Sequence, residues 1–260
     1  MLGAIIGDLA GSIYEFEQIK QIKRVEMKNI IEENSFFSDD TILTVAVADA
    51  LLSETDFEAK IKEYAKRYQS YSPNFKPYFK TPFSPNFMAW ANGTTRGTSL
   101  GNGAMMRVSP IGFWFDNEKD VQKFSELATV CSHDNKEAVE CAKTIALIIF
   151  FAKNGFSKTQ IKEKLNLKIE KPKIEKFNFL CEETLKICLY SVFETNNFED
   201  CVKMALSFGG DTDTNACISA SMAEAFYGID ENLAKKAKSK LPPDLLSVVE
   251  RFYDALKTRF

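Results

Sequence analysis

Glycine recurs every fourth residue near the start of the chain, at Gly3, Gly7 and Gly11. At helical spacing the three fall on one face. Each glycine in a helix interior costs about 1 kcal/mol relative to alanine, so a helix that carries three of them needs a contact that demands them. A smooth glycine stripe lets another helix approach closely. The segment is too short, and with Asp8 in its middle too charged, to be a membrane dimerisation motif.

The dominant period elsewhere is also helical. Apolar positions at helical spacing predict helices over Asp40–Leu52, Asp56–Tyr68, Glu118–Val130, Lys136–Lys153 and Lys158–Leu165. They continue over Phe179–Glu194, Phe198–Phe208, Asp213–Phe226 and Pro243–Arg259. No series of alternating strands competes with them. With 260 residues, 45% apolar and 27% charged, the chain has the balance of one soluble globular domain. We expect a single all-α domain over residues 1–260. Two stretches resist the period: residues 71–103, where prolines, glycines and aromatics interrupt it, and the lysine-rich residues 166–176. A loop as long as the first, and that aromatic, points to function rather than disorder.

Charge and cysteine usage narrow the setting. A net charge of −3 with mixed signs argues against a broad surface for nucleic acid or anionic membrane, while leaving room for a nucleotide in a pocket. The longest apolar run, IALIIFFA from Ile145 to Ala152, is far shorter than a bilayer span. The first residues lack the basic start of a secretory signal. Six cysteines occur without a CxxC pair, which reads as buried thiols in a reducing, cytoplasmic setting rather than as a zinc site.

Two acidic helix starts carry the chemistry. In FGGDTDTNA, from Phe208 to Ala216, Gly209 and Gly210 turn the chain and Asp211 or Thr212 caps the next helix. Capping accounts for one acid, yet Asp211, Asp213 and Thr214 crowd three oxygen groups at one helix start. Such a set suits a hard divalent cation. FSDDT, from Phe37 to Thr41, repeats the arrangement: Ser38 fits an N-cap, and Asp39 and Asp40 add two carboxylates. If the two starts converge, four aspartates share a small volume, and their repulsion requires cations or raised pKa values.

GDLAGSIYE (Gly7–Glu15), FSDDT, SLGNGAMMRVSPIG (Ser99–Gly112), CSHD (Cys131–Asp134) and FGGDTDTNA, in that order, resemble the ADP-ribosylglycohydrolase family. The resemblance implies an orthogonal all-α fold with a binuclear Mg²⁺ or Mn²⁺ centre in a cleft. It implies hydrolysis of the bond between ADP-ribose and a modified side chain, arginine first by prevalence in the family. By position it assigns Ser38, Asp39 and Asp40 to one metal-ligand group and Asp211, Asp213 and Thr214 to the other. The family more often has threonine at the place of Ser38. Glu15 matches an acid beside the metals, and the proton relay falls to it or to Asp39, Asp40 or Asp213. Ser99, Leu100, Gly101, Asn102, Gly103, Ala104 and Met105 match the loop around the distal ribose and phosphates, and His133 a substrate contact.

Arg107 reads as a structural ion pair. Phe83, Phe87 and Trp90 fit either stacking on adenine or the core. Many bacterial relatives carry a glycine-rich segment where this chain has PFSPNFMAW (Pro82–Trp90), and Ser84 and Pro85 stand where glycine would let a backbone near phosphate. The expected partner is an ADP-ribosylated protein or small ADP-ribosyl compound, with nucleic acid only as an ADP-ribosylated substrate, no membrane, and a monomeric enzyme. Two alternatives stay open: cleavage of another ADP-ribosyl linkage or of a nucleotide or sugar-phosphate ester, and a non-catalytic ADP-ribose binder.

Overall fold

The computed structural model describes residues 1–19, 21–73 and 81–259. Among them the helices are α1 (Leu2–Gly11), α2 (Glu15–Gln18), α3 (Asp39–Ser53), α4 (Phe57–Tyr68), α5 (Pro85–Ala91), α6 (Ser109–Trp114) and α7 (Glu118–Val130). They continue as α8 (Lys136–Lys153), α9 (Lys158–Lys164), α10 (Cys181–Phe193), α11 (Phe198–Ser207), α12 (Thr212–Tyr227), α13 (Glu231–Lys238) and α14 (Pro243–Arg259). A 3₁₀ turn covers Asn102–Ala104. No strand forms among the described residues, only isolated bridges joining Thr98 to His133 and Gly101 to Leu180. The fold is all-α.

Caps explain why several helices start where they do. The side chains of Asp56, Asn117, Asn135 and Asn197 each accept a first-turn backbone N–H, a contact worth about 1 kcal/mol apiece. Ser157 and Gln160 form a reciprocal capping box at α9. Burial does the rest. Every residue of α1 is buried, and α8 buries apolar side chains all round, as a helix enclosed by others must.

The glycine stripe finds its partner in α12. A Cβ on Gly3 would lie 2.3 Å from Ala220 O, one on Gly7 2.1 Å from Ala216 O, and one on Gly11 2.4 Å from Asp213 Cα. The ascending and descending numbers make the pair antiparallel. Its consequence is positional: the C-terminal end of α1 lies against the N-terminus of α12. α3 packs on α1 as well, and behind the site it is anchored to α4 and α14. Asp49 of α3 is held there by Lys60 (3.0 Å), Arg251 (2.8 Å) and the Tyr64 hydroxyl (3.2 Å).

The segment expected to be irregular from residue 71 to 103 contains α5. Pro85 starts this helix instead of breaking it, because a proline in the first turn has no helical N–H to lose. Ser84 caps it by accepting from Phe87 N at 3.2 Å. Residues 74–80 of that segment, and Phe260 of the expected domain, lie outside the described residues. Phe83 and Trp90 are buried and each packs against the Phe87 ring at 5.3 Å between centroids. The six cysteines form no disulfide. Among the described residues no helix is long and apolar enough to cross a membrane.

Candidate active site

The N-termini of α3 and α12 meet at the floor of a cleft of about 740 Å³. Thr214 Oγ1 donates to Asp40 Oδ2 at 3.2 Å, tying the two starts together across 174 residues of sequence. Ser38 caps α3, its Oγ accepting from Asp40 N (3.2 Å) and donating to Asp40 Oδ2 (3.3 Å). Its hydroxyl retains a further lone pair. Asp211 stands at the N-cap position of α12 without a side-chain capping bond. Instead its Oδ2 accepts from Asn102 Nδ2 at 2.7 Å. Carboxylate oxygens of Glu15, Asp211 and Asp213 lie within 4.8 Å of one another.

The structure adds an acid that the sequence did not single out. Asp8 of α1 is 0% exposed, and one of its oxygens lies within 4.8 Å of carboxylate oxygens of Asp40 and Asp213. One buried oxygen of Asp8 and one of Asp40, both Oδ1, have no hydrogen-bond partner among the described groups. Burial of such oxygens without partners is costly. Oxygen-only donors, crowded and under-satisfied, fit a hard cation such as Mg²⁺ or Mn²⁺.

Electrostatics point the same way. Burial first, and the neighbouring charge of Asp213 second, push the Asp8 carboxyl up to about 7 and hold Asp39, Asp40 and Asp211 well above the usual carboxylate range. A carboxyl whose folded pKa exceeds its unfolded value of about 3.9 binds its proton more tightly when folded. That stabilisation is complete below the unfolded value and is lost as pH rises through the folded one. The cation-free protein should therefore melt lower at pH 7.5 than at pH 5, the Asp8 contribution falling away progressively as pH rises from about 4 to about 7. Millimolar Mg²⁺ or Mn²⁺ should raise the melting temperature at pH 7.5 and have little effect at pH 5. Scanning calorimetry at both pH values checks this, and a pH-independent melt would contradict it.

The other wall comes from the loop 99–107. Ser99 Oγ accepts from Gly101 N at 3.1 Å, shaping the turn. Asn102 is buried, its amide shared between Asp211 and Thr184 Oγ1 (3.0 Å), so it braces the loop against the acidic floor. Ser99, Gly101, Asn102, Gly103 and His133 line the cleft. Leu100 is exposed outside that lining, and Ala104 and Met105 are in the core. The Met105 N–H is already given to Asn102 O at 2.8 Å. Neither Gly101 nor Gly103 has a left-handed backbone. Arg107 is 0% exposed and donates to Ala128 O (2.8 Å) and Ser132 Oγ (2.6 Å). Ser132 Oγ lies 2.8 Å from His133 Nδ1, so Arg107 orients the histidine through Ser132. Burial, then the Arg107 charge, push the His133 pKa down to about 3, and the ring is neutral.

Carboxylates gathered from several helices under a cleft of ligand size make this the candidate site for a cation beside a bound ligand. A solved structure described as an ADP-ribosylglycohydrolase-related protein complex superposes with a TM-score of 0.72 at 19% identity, covering 97% of this chain and 96% of that one. A family model described as ADP-ribosylglycohydrolase matches residues 1–259, and the chain belongs to that family. It is an enzyme that hydrolyses ADP-ribosyl linkages. ADP-ribosylhydrolase ARH3 of Danio rerio is 25% identical over 308 residues, spanning 88% of this chain and 82% of that protein. ADP-ribosylarginine hydrolase Tri1 of Pseudomonas putida strain GB-1 is 22% identical over 284 residues, spanning 96% and 72%.

Proposed function

We propose that the protein releases ADP-ribose from a modified side chain, arginine first, by hydrolysing the N-glycosidic bond at a site that holds two Mg²⁺ or Mn²⁺ ions. The observation that carries the cation reading is the convergence of two acidic helix starts on buried, unpaired carboxylate oxygens. Ser38, Asp39 and Asp40 of the α3 start and Asp211, Asp213 and Thr214 of the α12 start would hold the ions. Bound there, the ions would supply positive charge that polarises the ribose hydroxyls and acidifies a water.

The chain's own groups position and move protons. Glu15 is half-buried at the cleft edge beside Asp211 and Asp213, where it can take a proton from water and pass it to the leaving group. His133, held neutral, offers a hydrogen bond to an uncharged hydroxyl. Gly101 and Gly103, free of side chains, let substrate approach the backbone of the loop. Preference for arginine is supported by the likeness to Tri1, named an ADP-ribosylarginine hydrolase, across 96% of this chain. Product analysis with an ADP-ribosylated arginine peptide tests the reading. Free ADP-ribose and intact arginine, formed with Mg²⁺ or Mn²⁺ and not after chelation, are expected. Release of AMP would indicate cleavage of the diphosphate bond instead, and binding without turnover a non-catalytic relative.

A further inference from the structure

Asp8 has no role in the scheme above, yet it is fully enclosed and stands in an otherwise apolar helix. Its two oxygens do different things. Oδ2 accepts from Ser38 N (2.8 Å), Thr41 N (3.1 Å) and Thr41 Oγ1 (2.5 Å), three donors from the single helix start that also carries Asp39 and Asp40. Oδ1 is buried and unpaired, on a side chain that reaches within 4.8 Å of Asp40 and Asp213.

Capping alone does not explain this residue. An uncharged asparagine accepts the same N–H donors, and a buried carboxylate oxygen without a partner is destabilising. Nor can the side chain retreat, because Gly7 and Gly11 on either side of it seat α1 at backbone distance from α12. A negative charge held at that depth needs a positive one in front of it. We propose that Asp8 is a positioning residue of the cation site. Through Oδ2 it fixes the start of α3 so that Ser38, Asp39 and Asp40 face Asp213. With Oδ1 it adds negative charge behind the carboxylates that meet the ions. The inference rests on the cation reading given under Proposed function.

Calorimetric Mn²⁺ titration and Mn²⁺ electron paramagnetic resonance on the full chain test it, with wild type, Asp8→Asn and Thr41→Val compared. Asp8→Asn keeps an acceptor for the α3 N–H groups and removes the charge. It should melt at or above the wild type without cations and bind Mn²⁺ on the order of 10–100-fold more weakly, with an altered resonance spectrum. A purely structural role would leave the Mn²⁺ affinity and the resonance spectrum of the folded protein unchanged. If wild type binds Mn²⁺ and Asp8→Asn binds it equally well, the role of Asp8 is overturned and the cation reading stands. If wild type binds none, both fall. Should Asp8→Asn fail to fold, Thr41→Val decides, since it removes one anchor of Oδ2 and keeps the charge. Several-fold weaker Mn²⁺ binding with a cooperative melt supports the proposal, and unchanged affinity overturns it.

Discussion

Asp213→Asn is expected to lower kcat/KM for an ADP-ribosyl substrate by on the order of 10³-fold or more, with the cation-free protein at least as stable as wild type. Asp213 is the common neighbour: its charge stands second only to burial in raising the pKa of Asp8, Asp39, Asp40 and Asp211. It also belongs to both groups of close carboxylates, with Asp8 and Asp40 on one side and Glu15 and Asp211 on the other. Neutralising it relieves repulsion among the carboxyls and, on the proposed reading, removes an acid common to both groups that would hold the ions. Stability and activity should therefore move in opposite directions. Turnover assays paired with calorimetry in chelator separate this from simple unfolding, which would lower both. Turnover at the wild-type rate would end the catalytic assignment.

Gly7→Ala is expected to cost about 3 kcal/mol or more, lowering the melting temperature by roughly 6–12 °C. The added Cβ would lie 2.1 Å from Ala216 O, 2.3 Å from Ala216 C and 2.5 Å from Cys217 N. All three are backbone atoms, so no rotamer change relieves the clash, and α1 must move off α12. Because Asp8 follows Gly7 directly and Asp213 lies at the facing helix start, Mn²⁺ affinity should fall along with stability. Gly103→Ala is the control, since its Cβ would sit at an ordinary 3.5 Å from His133 Nε2. A Gly7→Ala protein that melts with wild type would mean that the two helices are less closely seated than described.

These cases also show what a sequence can and cannot reveal here. The helices predicted over Glu118–Val130, Lys136–Lys153 and Pro243–Arg259 form with those bounds, because apolar period, caps and length agree. The glycine stripe implied a close partner but could not name α12, whose facing residues are about 200 positions away. Proline misled at α5, where it opens a helix after Ser84. The two acidic helix starts were legible because each concentrates oxygen groups within a few residues. Asp8 was not. A single acid within IIGDLAG looks like the polar side of a helix, and its hydrogen-bond partners lie 30 and 33 residues further on. Asn102 read as part of a ligand loop, while its amide braces that loop against Asp211.

The seating of α1 on α12 also joins two helices that are made far apart in time. Thr212 Oγ1 donates to Gly11 O across 201 residues, so α1 leaves the ribosome well before the helix on which it is seated. At about 5–20 residues per second, that wait is roughly 10–40 s. Throughout it, the glycine face of α1 lacks the helix that covers it in the finished protein, with α3 and later α11 available to pack on α1. Until then that face of α1 is exposed apolar surface on the growing chain. A message truncated before residue 212 would yield a product whose acidic floor lacks Asp213 and Thr214 and whose α1 has no α12 to seat on.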